Sequence, residues 1–149
     1  MTAPEQRALA TGAAGLIGSE IVDYFCRLGW TVQGFDRNMR ADFFGEAGGT
    51  SWNPNRLLGE HDSFRRCDLD VRDRDSVEAL AGSFDPQLVV HAAAQPSDDL
   101  AASRPFEDLD SYAVGVQHLL EVTRRHGASD LMKNPRHLFE EIHSAVKAR

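Results

Sequence analysis

The residues best placed to do chemistry are three glycines in the run Thr11-Gly12-Ala13-Ala14-Gly15-Leu16-Ile17-Gly18. The chemistry they fit is anion binding. A helix that opens on a glycine-rich turn presents unpaired N–H groups and the positive end of its dipole. Where side chains are missing, a pyrophosphate can approach the backbone, and a third small residue lets the helix pack closely on a sheet. The triplet alone is weak evidence. Its context gives it meaning, because a short apolar stretch precedes it and a helical pattern follows. Asp36 stands 18 residues beyond Gly18. A carboxylate at the end of a second strand can accept hydrogen bonds from both ribose hydroxyls and would repel a 2′-phosphate, which favours NAD over NADP. Arg37 pulls the other way, since a guanidinium could pair with that phosphate. The competing reading of Asp36 is a helix or turn cap.

Other residue types give less. Of the six histidines, His137 and His143 lie six apart and His118 and His126 eight apart. A helical zinc pair needs a spacing of four, so these read as surface or cap residues and no metal site is expected. The acidic group Asp98, Asp99, Glu107, Asp108 and Asp110 reads as a solvated face. Cys26 and Cys67 have neither metal nor redox spacing, which fits two free thiols in a reducing cytoplasm. The formal net charge is −7 and no basic stripe is visible, so a nucleic-acid partner is not expected. Arg124-Arg125 reads as a solvated helix end. No apolar run approaches the roughly 18 residues of a membrane span, and the first seven residues have no apolar signal-peptide core.

These residues need a scaffold. Residues 7–11 form a short apolar stretch, and Ile17, Ile21, Phe25 and Leu28 recur on one helical face up to a stop at Gly29. Residues 31–35 read as a strand closed by Asp36. Residues 37–60 then break the rhythm with Gly45, Gly48, Gly49, Pro54 and Gly59 among Phe43, Phe44 and Trp52. So long a connection is often functional; the alternative is a surface excursion pinned by its aromatics. A short strand follows at 63–69, then a helix from 75 capped by Asp75 or Ser76. Residues 88–94 are the best buried strand, with Pro86 just before it. A helix over 105–126 takes its apolar face from Leu109, Val116, Leu119 and Leu120, and Gly127 ends it. Asn134-Pro135 starts a final helix with the stripe Leu138, Phe139, Ile142 and Val146.

This alternation predicts an α/β fold, a parallel sheet with helices on both faces. Right-handed crossovers give the strand order 3-2-1-4. The expected architecture is a truncated, Rossmann-like doubly wound sheet with an extra C-terminal helix. Residues 1–128 would form a dinucleotide-binding half domain and residues 129–149 a helical extension. The fourth strand would be an exposed edge, covered by the final helix or by a partner chain.

The chain resembles the extended short-chain dehydrogenase/reductase family, the nucleotide-sugar epimerases and dehydratases, over roughly residues 8–126. The resemblance rests on Thr11-Gly12-x-x-Gly15-x-x-Gly18, Asp36, Asp68-Leu69 and His91-x-Ala93-Ala94. The stretches Asn38-Met39-Arg40, Phe43-Phe44-Gly45, Trp52-Asn53 and 91–97 are similar to a subgroup close to CDP-paratose 2-epimerase. The resemblance implies that Gly12, Leu16, Ile17 and Gly18 line the pyrophosphate and that Asp36 holds the adenosine ribose. It implies that Asp68 and Leu69 flank the adenine, with Asp68 accepting from its exocyclic amine. Ala92, Ala93 and Ala94 would pass under the ribose and nicotinamide, with Gln95 and Ser97 toward a nucleotide sugar. The alanine run equally suits tight packing of a central strand.

The resemblance also implies what catalysis needs: a tyrosine four residues before a lysine. Four residues after Tyr24 and Tyr112 stand Leu28 and Val116, and four before Lys133 and Lys147 stand Ser129 and His143. No such pair exists in these 149 residues. A positioned acid/base is worth about 10²–10⁴ in rate, so little activity is expected from this chain alone. The family's Asn-x-x-Gly-Thr is here Tyr112-Ala113-Val114-Gly115-Val116, leaving Tyr112 either a helix-packing aromatic or a novel acid. The fifth strand that the family places after Gly127 is not expected here. Three readings follow: a cofactor-binding module, a non-catalytic interaction protein that forms a homo-oligomer, or an epimerase completed by a partner chain.

Overall fold

A computed structural model describes residues 5–94, 98–126 and 130–133; for residues 130–133, Phe43, Asp98 and Leu100 it describes the backbone only. The elements run β1 (Arg7–Thr11), α1 (Leu16–Arg27), β2 (Thr31–Asp36), α2 (Met39–Phe44), α3 (Trp52–Glu60), β3 (Phe64–Asp68) and α4 (Arg74–Phe84). Then come β4 (Leu88–His91), α5 (Asp98–Ser103), α6 (Pro105–Leu109), α7 (Gly115–His126) and β5 (Asp130–Lys133). All pairings are parallel and the order is β3-β2-β1-β4-β5. The expected 3-2-1-4 order stands, extended by one strand.

Alternation along β1 builds both layers. Successive strand residues point to opposite faces. Ala8 and Ala10 join Ile21, Val22, Phe25, Leu57 and Phe64 on one side of the sheet. Leu9 joins Val77, Ala81, Val89, Leu119 and Val122 on the other. Helices α1 and α3 therefore cover one face, and α4 and α7 the other. The small residues of β1 suit a central strand that both helical layers approach closely. Each fully buried Val, Leu or Ile contributes about 1.5–3 kcal/mol of burial.

Several local expectations change. Within α1 the buried face is Gly18, Ile21, Val22, Phe25 and Cys26, while Ile17 and Leu28 are exposed. Residues 37–60 are not a loop: they hold α2, a 3-10 turn at Glu46–Gly48, and α3, the crossover helix between β2 and β3. Phe44 and Trp52 do not pin this segment, since both are exposed and Asn53, Pro54 and Leu57 go inside. The cap of α4 is Asp73, whose side chain accepts from the Ser76 N–H.

Between α6 and α7 the helix takes a π turn at Asp110–Val114. The extra residue of a π turn shifts the helical face. Ser111, Gly115, Leu119 and Val122 turn inward, and Leu109 and Leu120 outward. Residues 130–133, expected at the start of a helical extension, instead pair with 88–91 as β5. Strand β4 is therefore not an edge. The final helix expected from Asn134 lies outside the described residues.

Candidate functional site

The C-terminal ends of β1, β2 and β4 open onto one cleft, at the point where the chain's crossovers change direction. Open α/β sheets bind ligands at such switch points. The glycine turn forms one wall, with Gly12, Gly15, Leu16, Ile17 and Gly18 at the surface of the cleft. Gly12 has φ +67°, and a Cβ there would lie 2.7 Å from the Ala93 nitrogen. Gly18 allows α1 to seat on the turn, since its Cβ would lie 1.9 Å from the Gly12 carbonyl oxygen. Gly15 caps α1 in an extended conformation, and its N–H donates to Gly12 O at 3.0 Å. The first turn of α1 therefore begins at the cleft, where its leading N–H groups have no intrahelical acceptor. Leu16 and Ile17 stand exposed on the lip, Leu16 at 78%.

Asp36 and Arg37 close the far end with Leu69, Asp70, Met39, Arg40 and Thr50. The Asp36 carboxylate is oriented before any ligand arrives. Its Oδ1 accepts from Asn38 N–H at 2.6 Å and its Oδ2 from Ala14 N–H at 3.2 Å. It is thus a turn cap as well as a cleft residue, and a carboxylate has acceptor sites left for a diol. Arg37 is held on both sides, by Asp70 at 2.8 Å and Asp42 at 2.8 Å. Arg72 grips the same Asp70 in a fork, its nearest contact 2.7 Å. Burial alone would raise the Asp70 pKa, but the hydrogen bonds from Arg72 and Arg37 together hold it well below the usual carboxylate range.

Ala92, Ala93 and Ala94 pass along the floor after β4. Thr11 fixes them there: its Oγ1 accepts from Ala93 N–H at 3.1 Å and lies 2.7 Å from His91 Nδ1. The structure thus brings together Gly12, Gly15, Leu16, Ile17, Gly18, Asp36, Arg37, Leu69, Ala92, Ala93 and Ala94. It does not bring in Asp68, whose exposed side chain pairs with Arg66 outside the cleft. Nor does Tyr112 line it; the π turn sends Ser111, 5% exposed, toward the cleft and leaves Tyr112 outward. Gln95 and Ser97 lie outside the described residues. Sequence reasoning missed Phe35, Met39, Arg40, Thr50, Asp70, Val71 and Ser111 in the lining, and the sequence signal for all but Thr50 was their nearness to Asp36-Arg37, Asp68-Leu69 and Tyr112.

Among the described residues Asp23, Glu60 and His61 form one group with metal-ligand atoms close together. Arg27 and Arg56 already hold the two carboxylates, so the cluster is neutralised from within. No described helix is long and apolar enough to cross a membrane.

Residues 8–133 match the NAD dependent epimerase/dehydratase family. The chain belongs to that family. It is 33% identical over 123 residues to UDP-glucose 4-epimerase of Mycolicibacterium smegmatis, covering 81% of this chain and 36% of that one. Among solved structures, UDP-glucose 4-epimerase of Thermus thermophilus in complex with NAD superposes with a TM-score of 0.68 at 31% identity. The match covers 85% of this chain and 36% of that one. The Thermotoga maritima UDP-glucose 4-epimerase with UDP-glucose gives a TM-score of 0.70 at 26% identity, over 85% and 36% of the two chains. This family member spans 22% to 37% of the length of the curated relatives it matches.

Proposed function

We propose that this chain is an NAD-binding module, related to the N-terminal part of a nucleotide-sugar epimerase or dehydratase and with little turnover of its own. The observation that carries this reading is the pairing of two features in one cleft. The open start of α1 lies against Gly12 and Gly18, and the Asp36 carboxylate is already aimed by two backbone N–H groups. The first suits a pyrophosphate and the second a ribose diol. Leu69 and the exposed Leu16 and Ile17 offer apolar cover for the rings. The engagement of Arg37 by Asp70 and Asp42 supports NAD over NADP, because a 2′-phosphate would find that guanidinium occupied and Asp36 repulsive.

Bound NAD would supply hydride chemistry. The residues that would move the accompanying proton, a tyrosine and lysine four apart, do not occur in these 149 residues. Catalysis on a nucleotide sugar therefore belongs to a completed assembly. The relatives named above, one with NAD and one with UDP-glucose, support this class of ligands. The two free cysteines support a reducing, cytoplasmic setting.

Isothermal titration with NAD and NADP tests the reading. NAD at 100 times its Kd should add about 2.7 kcal/mol of stability. That corresponds to a rise of roughly 5–10 °C in melting temperature for a chain of this size. Absence of heat and of stabilisation at millimolar NAD refutes it.

A second reading, a non-catalytic interaction protein, is favoured by one observation. Phe106, Leu109 and Leu120 are exposed along α6 and α7, Phe106 at 80%. Light scattering separates the readings: a chain that stays monomeric at high concentration speaks against a homo-oligomer.

A further inference from the structure

We propose that Asn53 is a positioning residue for the pyrophosphate end of the cleft, acting through the Ala14–Gly15 peptide; this rests on the dinucleotide reading above. Asn53 sits in the first turn of α3, in the segment between β2 and β3, and is 4% exposed. Its Nδ2 donates to the Ala14 carbonyl at 3.1 Å, a contact spanning 39 residues of sequence. A buried amide with one long-range partner on the glycine turn is a specific device, since burying it without that partner would cost free energy.

The Ala14–Gly15 peptide needs such a device. Glycine accepts φ on either side of zero, so a flip of the peptide plane before Gly15 meets little steric resistance. Hydrogen bonds alone hold the plane. Asn53 takes its carbonyl, and its N–H, carried by Gly15, donates to Gly12 O at 3.0 Å. A plane that rotated would take the Ala14 carbonyl off Asn53 and the Gly15 N–H off Gly12 O, loosening the turn on which the leading N–H groups of α1 are seated. The N–H of the same Ala14 donates to Asp36 Oδ2 at 3.2 Å.

The clamp is also part of a closed circuit. Asp36 holds Asn38 N–H at 2.6 Å, and Asn38 Oδ1 accepts from Thr50 N–H at 3.0 Å. The Asn53 N–H donates to Thr50 O at 3.1 Å. Both ends of the cleft are thereby tied to residues 38–53. Asn53 holds the Ala14–Gly15 peptide at the start of α1, while Asp36 fixes the ribose end.

The test is a comparison of three probes, NAD, ADP and adenosine, on the full chain and on Asn53→Leu, followed by NMR titration. Leucine keeps the volume of the side chain and removes the donor. NAD and ADP should weaken about ten-fold, equivalent to ~1.4 kcal/mol, while adenosine changes less than about two-fold. A residue that merely stabilised the fold would weaken all three together. Equal losses, or no loss, overturn the proposal. Asn53→Ala repeats the comparison should leucine not be accommodated, and retained adenosine binding shows that the variant is folded. If the unaltered chain binds neither NAD nor ADP, the dinucleotide reading itself falls and this proposal with it. If it binds both and the Asn53 variants show no phosphate-dependent loss, only this proposal falls.

Discussion

Gly18→Ala probes the contact on which both the turn and the helix depend. The added Cβ would lie 1.9 Å from the Gly12 carbonyl oxygen and 2.6 Å from its carbon. Both atoms are backbone, so no rotamer change relieves the clash. Either α1 backs off the sheet by ~1 Å or the turn opens. Overpacking of a well-packed site costs about 1–3 kcal/mol, and a backbone clash belongs at the upper end. For a chain of this length ~3 kcal/mol lowers the melting temperature by roughly 6–12 °C. The leading N–H groups of α1 move with the helix, so NAD affinity should fall at least about ten-fold. Gly59→Ala is the control. It also lies in a helix, α3, but nothing lies within 4 Å of its added Cβ. Alanine there should be neutral or stabilise by up to about 1 kcal/mol through helix propensity. Calorimetric melting of both variants, with NAD titration, is the assay. A Gly18→Ala chain with unchanged melting temperature and NAD affinity would refute the packing argument.

Three further outcomes are expected. Asp36→Ala removes a charged acceptor from the cleft, and NAD affinity should fall by about ten-fold or more, as expected when a charge-assisted hydrogen bond is lost; an unchanged Kd by titration would remove Asp36 from the site. Asp70→Asn tests the Arg37–Asp70–Arg72 cluster. The folded carboxyl is depressed, so its stabilisation is complete above the ordinary carboxylate pKa of about 3.9 and is lost as pH falls toward the folded value. The stability gap between Asp70→Asn and the unaltered chain, read by urea denaturation, should be full at pH 7 and shrink below about pH 4; a gap constant with pH contradicts the ion-pair account. Tyr112→Phe should leave NAD affinity unchanged, because Tyr112 is outside the cleft lining; a ten-fold loss would place its hydroxyl in the site.

Much of the site was legible because it depends on local chain geometry. A strand, a glycine turn and a helix are contiguous in sequence, and Asp36 follows at the end of the next strand, so the four anchors could be read from spacing. The helical faces were less legible. Spacing assigned Leu109 and Leu120 to the core, but a π turn at Asp110–Val114 rotated Ser111 and Gly115 inward instead. Spacing cannot register a one-residue change of hydrogen-bond pattern. Residues 37–60 read as a loop because glycines and a proline interrupt them, yet α3 packs there on α1 and β3. Tertiary burial of Pro54 and Leu57 overrides the weak local propensity.

The sequence by itself determined that the chain is a βαβ fold with a glycine turn opening its first helix, because three close glycines and a following helical period leave few other structures. Tertiary structure alone decided which partners complete that turn. Asn53 reaches Ala14 across 39 residues. Asp70 comes to Arg37 from the end of the neighbouring strand. Strand β5 closes against β4 although its four residues carry a weak strand pattern. Each of these contacts depends on how strands lie side by side, which no local run of residues encodes.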